Sequence, residues 1–332
     1  MTTPVQRERQ GLGRWMAKCA PNSFADGAVR LVFAVPLGLG LVALSRVGHR
    51  TFDILAQFTA PALITTAILT VLVTLTRLKA AALHGAAACV ALVIAVAPQW
   101  LPDGPGAQAG APVVRLYSAN LYYRNDQVAM IRRSIADADA DIVILIELGA
   151  DATAQADELL EGYPHRVASM RLDQTRGPSR SVIGSRYPLT ILPDPSDGLH
   201  AVAAVVRTPL GRLNVVGVHL TRPWPFQHPW GQISQTMALQ ALIEDMTGPV
   251  VVAGDFNSVS SARIGRQISR DLGLHPAPGF PGTWPANLPA PLGLTIDQVY
   301  ASPDLAFAGR RLGLPTGSDH RPVVTRITRA AE

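Results

Sequence analysis

The stretch PVVVAGDFN, residues 249–257, decides how this chain is read. Val250, Val251, Val252 and Ala253 make an unbroken apolar run, the pattern of a strand buried on both faces. The run ends in Gly254, Asp255, Phe256 and Asn257. A carboxylate and an amide two residues apart at a strand's end stand on one side of a turn, where both can reach a metal ion or a phosphate. Packing alone gives no reason for that ending.

Working outward, other apolar runs end in the same way. Asn120 follows VVRLYSA, Glu147 follows DIVILI, His219 follows LNVVGV, Asp297 closes TID, and Asp319 and His320 stand in GSDH. Taken singly, each has a plainer explanation: a turn former, a solvated strand end, a hydrogen-bonded core histidine. Helical stretches lie between them, at Gln127 to Ala138, from Asp151, and at Ile233 to Met246. The alternation predicts an α/β layered sandwich over residues 113–329, two packed mixed β-sheets flanked by helices.

The first hundred residues are of another kind. Ile54 to Thr76 and Ala80 to Pro102 are runs of 23 residues without Asp, Glu, Lys or Arg, each longer than the ~20 residues that cross a bilayer. Leu31 to Ser45 is a shorter run of 15, with Pro36 inside it and Arg30 and Arg46 at its ends, and it spans if those arginines snorkel. Three transmembrane helices are therefore expected in residues 29–97, after a tail of residues 1–28 and before a Pro/Gly/Ala-rich linker at 98–112. Arg7, Arg9, Arg14, Lys18, Arg30, Arg77 and Lys79 then share one side, against Arg46 and Arg50 on the other. Positive residues are retained in the cytoplasm, so the expected location is the cytoplasmic (inner) membrane with the folded domain extracytoplasmic. If residues 31–45 did not span, the domain would lie on the other side.

The net charge of +5 is misleading, because residues 1–110 hold nine Lys and Arg against four Asp and Glu, leaving twenty against twenty afterwards, with no lysine. A neutral domain is poorly suited to gripping a polyanion, which disfavours a nucleic-acid partner without excluding one. Cys19 and Cys89 are the two cysteines, so residues 98–332 have no thiol for a disulfide or for zinc.

In order and spacing, Asn120, Glu147, His219-Leu220, Gly254-Asp255-Phe256-Asn257, Ile296-Asp297 and Ser318-Asp319-His320 resemble the endonuclease/exonuclease/phosphatase superfamily from about Val113 to Ile327. SRYPL (185–189) and GTWP (282–285) are similar too; Ile146 departs from the glutamine that often precedes the family's glutamate. The resemblance implies a metal-dependent phosphoesterase. It implies Asn120, Glu147 and Asp319 at a Mg²⁺ or Mn²⁺ ion, Asp255 orienting or deprotonating the attacking water, and Asn257 and His219 on the phosphoryl group. It also implies Asp297 holding His320 as an acid or a cation, with Arg186 as a substrate contact. Three N-terminal spans before such a domain look like the bacterial membrane phosphatases related to glycopeptide-resistance proteins, which implies a phosphorylated, lipid-linked substrate. Trp224, Phe226 and Trp230 in TRPWPFQHPW are consistent with that, as an interfacial belt or an acyl-chain contact. The alternatives are a membrane-held nuclease and, since no catalytic position is missing, less favourably a binding protein that has lost its chemistry.

Overall fold

The structure is a computed structural model and describes residues 4–169, 180–193 and 198–331, with backbone alone at residues 4–23. It divides into two compact units, Met1–Val47 with Phe58–Val96, and Gly48–Gln57 with Ala97–Glu332.

The first unit is helical: α1 (Pro4–Ser45), then, past the short α2 (Arg50–Ala56) of the second unit, α3 (Thr59–Thr74) and α4 (Lys79–Trp100). Its outward side chains are apolar, Leu31, Val35, Ile68, Val71, Val90 and Ile94 among them, a surface of the kind that suggests association with a membrane. The expectation of three transmembrane helices is met only in part. Among the described residues two helices are long and apolar enough to cross a membrane, Phe24–Ser45 and Lys79–Trp100, at 22 residues each. The first contains the 15-residue run, Leu31 to Ser45, expected to span by snorkelling of its arginines. The middle run, which looked ample, is broken, with α2 and α3 bent by 55°. Pro61 supplies the reason, since its ring would collide with the carbonyl of residue 57 and it has no N–H to bond there, so the helix restarts at Thr59. The 16 residues of α3 are about 24 Å long, short of the ~30 Å hydrocarbon core.

In the second unit follow β1 (Val114–Asn120), α5 (Val128–Ala138), β2 (Ile142–Ile146), α6 (Ala150–Ala154), α7 (Ala156–Leu159), β3 (His165–Ala168), β4 (Ser181–Ser185), β5 (Leu189–Ile191), β6 (Ala201–Thr208), β7 (Gly211–His219), α8 (Pro229–Glu244), β8 (Val250–Asp255), α9 (Arg263–Asp271), β9 (His275–Pro276), β10 (Asp297–Ala301), β11 (Leu305–Leu312) and β12 (Val323–Arg329). They make two six-stranded sheets, in the orders β11-β12-β1-β2-β4-β3 and β5-β6-β7-β8-β10-β9. Each has one parallel pair, β1 with β2 and β7 with β8, joined through α5 and α8. A parallel pair needs such a crossover, and it brings the carboxyl ends of both strands to one edge.

The α/β sandwich expected from the sequence is therefore present. Ile142, Ile144 and Ile146 of β2 and Leu116 of β1 face Val202, Val215, Val251 and Val299 of the other sheet. The alternate residues Val143 and Leu145 pack under α5, while Val216, Val252 and Tyr300 pack under α8 and α9. Covering on both faces explains why these strands read as continuous apolar runs. Residues 98–112 are not a free tether: Gln108 N donates to Arg329 O at 2.9 Å, Ala331 N to Gly106 O at 2.8 Å, and Ala107 bridges Ala330.

Candidate active site

The register of the strands collects the polar residues. His219, the last residue of β7, lies beside Asp255, the last of β8. Asp297, the first of the antiparallel β10, lies opposite Asp255 on its other side. On the facing sheet Asn120 ends β1 beside Ile146, and Glu147 follows. Glu147 has a φ of 53° and Asn257 one of 48°, left-handed conformations that cost a non-glycine residue about 1 kcal/mol or more and cluster at functional sites. Gly254 is obligatory: at φ 146° an added Cβ would sit 1.9 Å from Val218 O.

Asn120 links the two sheets. Its Nδ2 donates to Glu147 Oε1 at 3.0 Å and to Asp255 Oδ2 at 3.1 Å, while its Oδ1 accepts from Tyr122 N at 2.9 Å. His219 Nε2 lies 3.2 Å from Glu147 Oε1 and 3.8 Å from Asp255 Oδ2. Asn257 donates through Nδ2 to Leu220 O at 2.9 Å and to Asp255 Oδ2 at 3.2 Å, and its N–H donates to Asp255 Oδ1 at 2.7 Å. His320 places Nδ1 2.9 Å from Asp297 Oδ2 and Nε2 3.9 Å from Asp255 Oδ2. Asn120, Glu147, His219, Asp255, Asp297 and His320 are all buried.

Burial sets the charge balance. It pushes the Asp255 carboxyl up to about 6, the charge on His320 opposing and Asp297 adding to the rise. For His320 burial acts downward, but the Asp297 and Asp255 carboxylates overcome it and raise the imidazole to about 10. Two groups of donor atoms, each within 4.8 Å of one another, share Asp255: Glu147–His219–Asp255 and Asp255–Asp297–His320. Three carboxylates shielded from water beside two imidazoles are a donor set suited to a divalent cation, since buried anions need a counter-charge.

Not every expected residue joins this set. Asp319 is exposed and belongs to neither group; Trp284 Nε1 donates to its Oδ2 at 3.2 Å. Arg186 also stands apart from the set. It follows the far end of β4, where Ser185 pairs with Ile142, and its Nη2 is tied to Asp139 Oδ1 at 2.7 Å, a strand's length from Glu147. At the near end is Arg180, buried, its carbonyl accepting from Leu148 N at 3.3 Å and its Nη1 donating to Thr153 Oγ1 at 3.0 Å. Phe226 and Trp230 are exposed, at 70 % and 57 %. Sequence reading missed Gln232, a buried amide on α8 whose Nε2 donates to Phe256 O and Asn257 O, each at 3.2 Å, and so fixes the turn after β8. Its one sequence signal is an amide beside Ile233 on a helix whose other side packs in the core.

Comparison with known proteins bears on the family and the fold. Residues 117–320 match the Endonuclease/Exonuclease/phosphatase family. The fold is similar to an endonuclease/exonuclease/phosphatase from Beutenbergia cavernae (20 % identity, 66 % of this chain and 72 % of that one, TM-score 0.52). It is similar also to a family protein from Bacteroides thetaiotaomicron (14 %, 67 % and 99 %, 0.54) and to the human Nocturnin catalytic domain with bound sulfate anion (18 %, 66 % and 94 %, 0.52). No curated protein matches the chain.

Proposed function

The chain belongs to the Endonuclease/Exonuclease/phosphatase family, and from that premise we propose that it is a membrane-anchored, metal-dependent phosphoesterase acting on a lipid-linked phosphate. The observation that carries the catalytic part is the convergence of Glu147, His219, Asp255, Asp297 and His320 from two sheets on one rim.

Glu147 would hold Mg²⁺ or Mn²⁺, with Asn120 donating to its Oε1 and to Asp255 Oδ2 and so fixing the ligand beside the base. Such an ion, when bound, supplies positive charge to the phosphoryl oxygens. The protein's own groups do the rest. Asp255, with a proton affinity close to neutrality, orients a water and takes up its proton. His219, on its flank, would donate to a phosphoryl oxygen, and Asn257 would do so by exchanging its 3.2 Å bond to Asp255 Oδ2 for one to the phosphoryl group. His320, kept cationic by Asp297, steadies the charge that builds on the leaving oxygen or gives it a proton.

The lipid part of the reading is supported by the first unit. Residues 48–57 and the chain from Ala97 onward belong to the same compact unit, which supports a reading in which the chain leaves that unit before α3 and returns to it after α4 on one side of the bilayer. In this reading α4 crosses and α3, shorter than a full span, crosses back beside it. With α1 this makes three passes, a cytoplasmic N-terminus and an extracytoplasmic catalytic unit, in keeping with the positive residues at the other end of the hairpin. The neutral charge of residues 111–332 favours a lipid headgroup over a nucleic acid.

The test is phosphate release from polyprenyl pyrophosphate against nicking of plasmid DNA, each with Mg²⁺ or Mn²⁺ and with chelator. Metal-dependent lipid turnover supports the proposal; DNA cleavage without lipid turnover makes the protein a membrane-held nuclease instead.

A further inference from the structure

Helix α2 stands between two membrane helices in sequence, yet it is built into the catalytic unit. The Arg50 guanidinium lies 5.2 Å from the centre of the Trp224 ring. Asp53, 8 % exposed, accepts from Arg263 N at 2.9 Å, with Arg263 Nε at 3.8 Å. It thereby caps α9, whose own N-cap residue Ala262 has no side chain able to do so. Only four residues separate the end of α1 at Ser45 from α2 at Arg50, a reach of about 18 Å at most. A helix so close to the end of a span stays in the interfacial layer, and whatever it holds stays there too.

What it holds is the loop after His219. Past Trp224, that loop turns Phe226 and Trp230 outward. A second attachment lies at the end of α4, where Gly279 N donates to Gln99 O at 2.8 Å and the Trp100 and Phe280 rings meet edge to face at 4.8 Å. Phe280 is itself 43 % exposed. Both places, the loop against α2 and the turn against the last residues of α4, thus carry exposed aromatic side chains, the residue type that favours the headgroup level of a bilayer. Both also lead into the site: Trp224 is five residues from His219, and Phe280 precedes Thr283 and Trp284, whose side chains bond Asp297 N and Asp319.

We infer that Phe226, Trp230 and Phe280 form a docking surface through which the catalytic unit enters a lipid bilayer at headgroup depth, setting the rim of the site against the phosphates of the lipids. The inference rests on α1 and α4 being spans, and not on the reaction catalysed. The rings would lie about 5–10 Å into the boundary between headgroups and acyl chains.

The test uses the full chain with Cys19→Ser and Cys89→Ala, reconstituted in nanodiscs of phosphatidylcholine and phosphatidylglycerol with or without brominated acyl chains. A single cysteine carrying bimane is placed by Phe226→Cys, Trp230→Cys, Val90→Cys or Ala136→Cys. Val90 is 60 % exposed on α4, and Ala136 is exposed on α5, behind the other sheet. Loss of most of the emission at 90, 226 and 230, with none at 136, is the expected result. Quenching at 90 without quenching at 226 and 230 overturns the docking surface and leaves the anchor standing; no quenching at 90 removes the spans on which it rests. Emission at 226 that ignores brominated lipid but varies with the number of chains per disc would make the occupant a second copy, and would equally overturn the assignment.

Discussion

His320 Nδ1 lies 2.9 Å from Asp297 Oδ2, so the imidazole is locked in orientation and keeps its proton well above neutral pH. Its value of about 10 in the folded chain lies above the 6.5 of an unfolded one. A raised pKa means that the folded state binds the proton more tightly, so the stabilisation is complete below pH ~6.5 and is lost as pH climbs through ~10. Unfolding of the detergent-solubilised protein in chelator, followed from pH 6 to 10.5, should show the midpoint falling across this window. The slope should flatten in His320→Gln; an unchanged slope in that variant would contradict the pairing.

Glu147 touches both Asn120 and His219. Glu147→Gln keeps its shape and removes its charge, so Mn²⁺ affinity, read by calorimetry, should fall along with turnover by about 10²-fold, while the thermal midpoint stays near that of the wild type. Retained metal affinity would move the ion elsewhere.

Gly254 has no room for a side chain, because the added Cβ meets the Val218 carbonyl of the neighbouring strand. Gly254→Ala should cost about 3 kcal/mol through backbone strain and steric overlap. Gly162→Ala, where nothing lies within 4 Å, serves as the control and should leave the melting temperature in place.

The topology is checked by fusing reporters. A periplasm-sensitive reporter after Glu332 should be active, and a cytoplasmic one should work in the α3–α4 connection near Arg77. Activity of the cytoplasmic reporter at the C-terminus would place the catalytic unit on the inner side and end the three-pass reading.

The sandwich, its strand ends and the polar residues on them were legible in the amino-acid order. Strand periodicity and terminal residues such as Asp255, Asn257 and His219 are local facts, carried by a few neighbours along the chain. What the tertiary structure decided depends on residues far apart: the capping of α9 by Asp53 from 210 positions away, the bridge of Asn120 between two sheets, the capture of Arg186 by Asp139, and the standing of Asp319 outside the donor groups. The break at Pro61 escaped a reading of Ile54 to Thr76 by length and charge, because an apolar count does not register which carbonyl a proline ring would strike. Periodicity tells a side chain which face it occupies. Only packing tells it what it meets there.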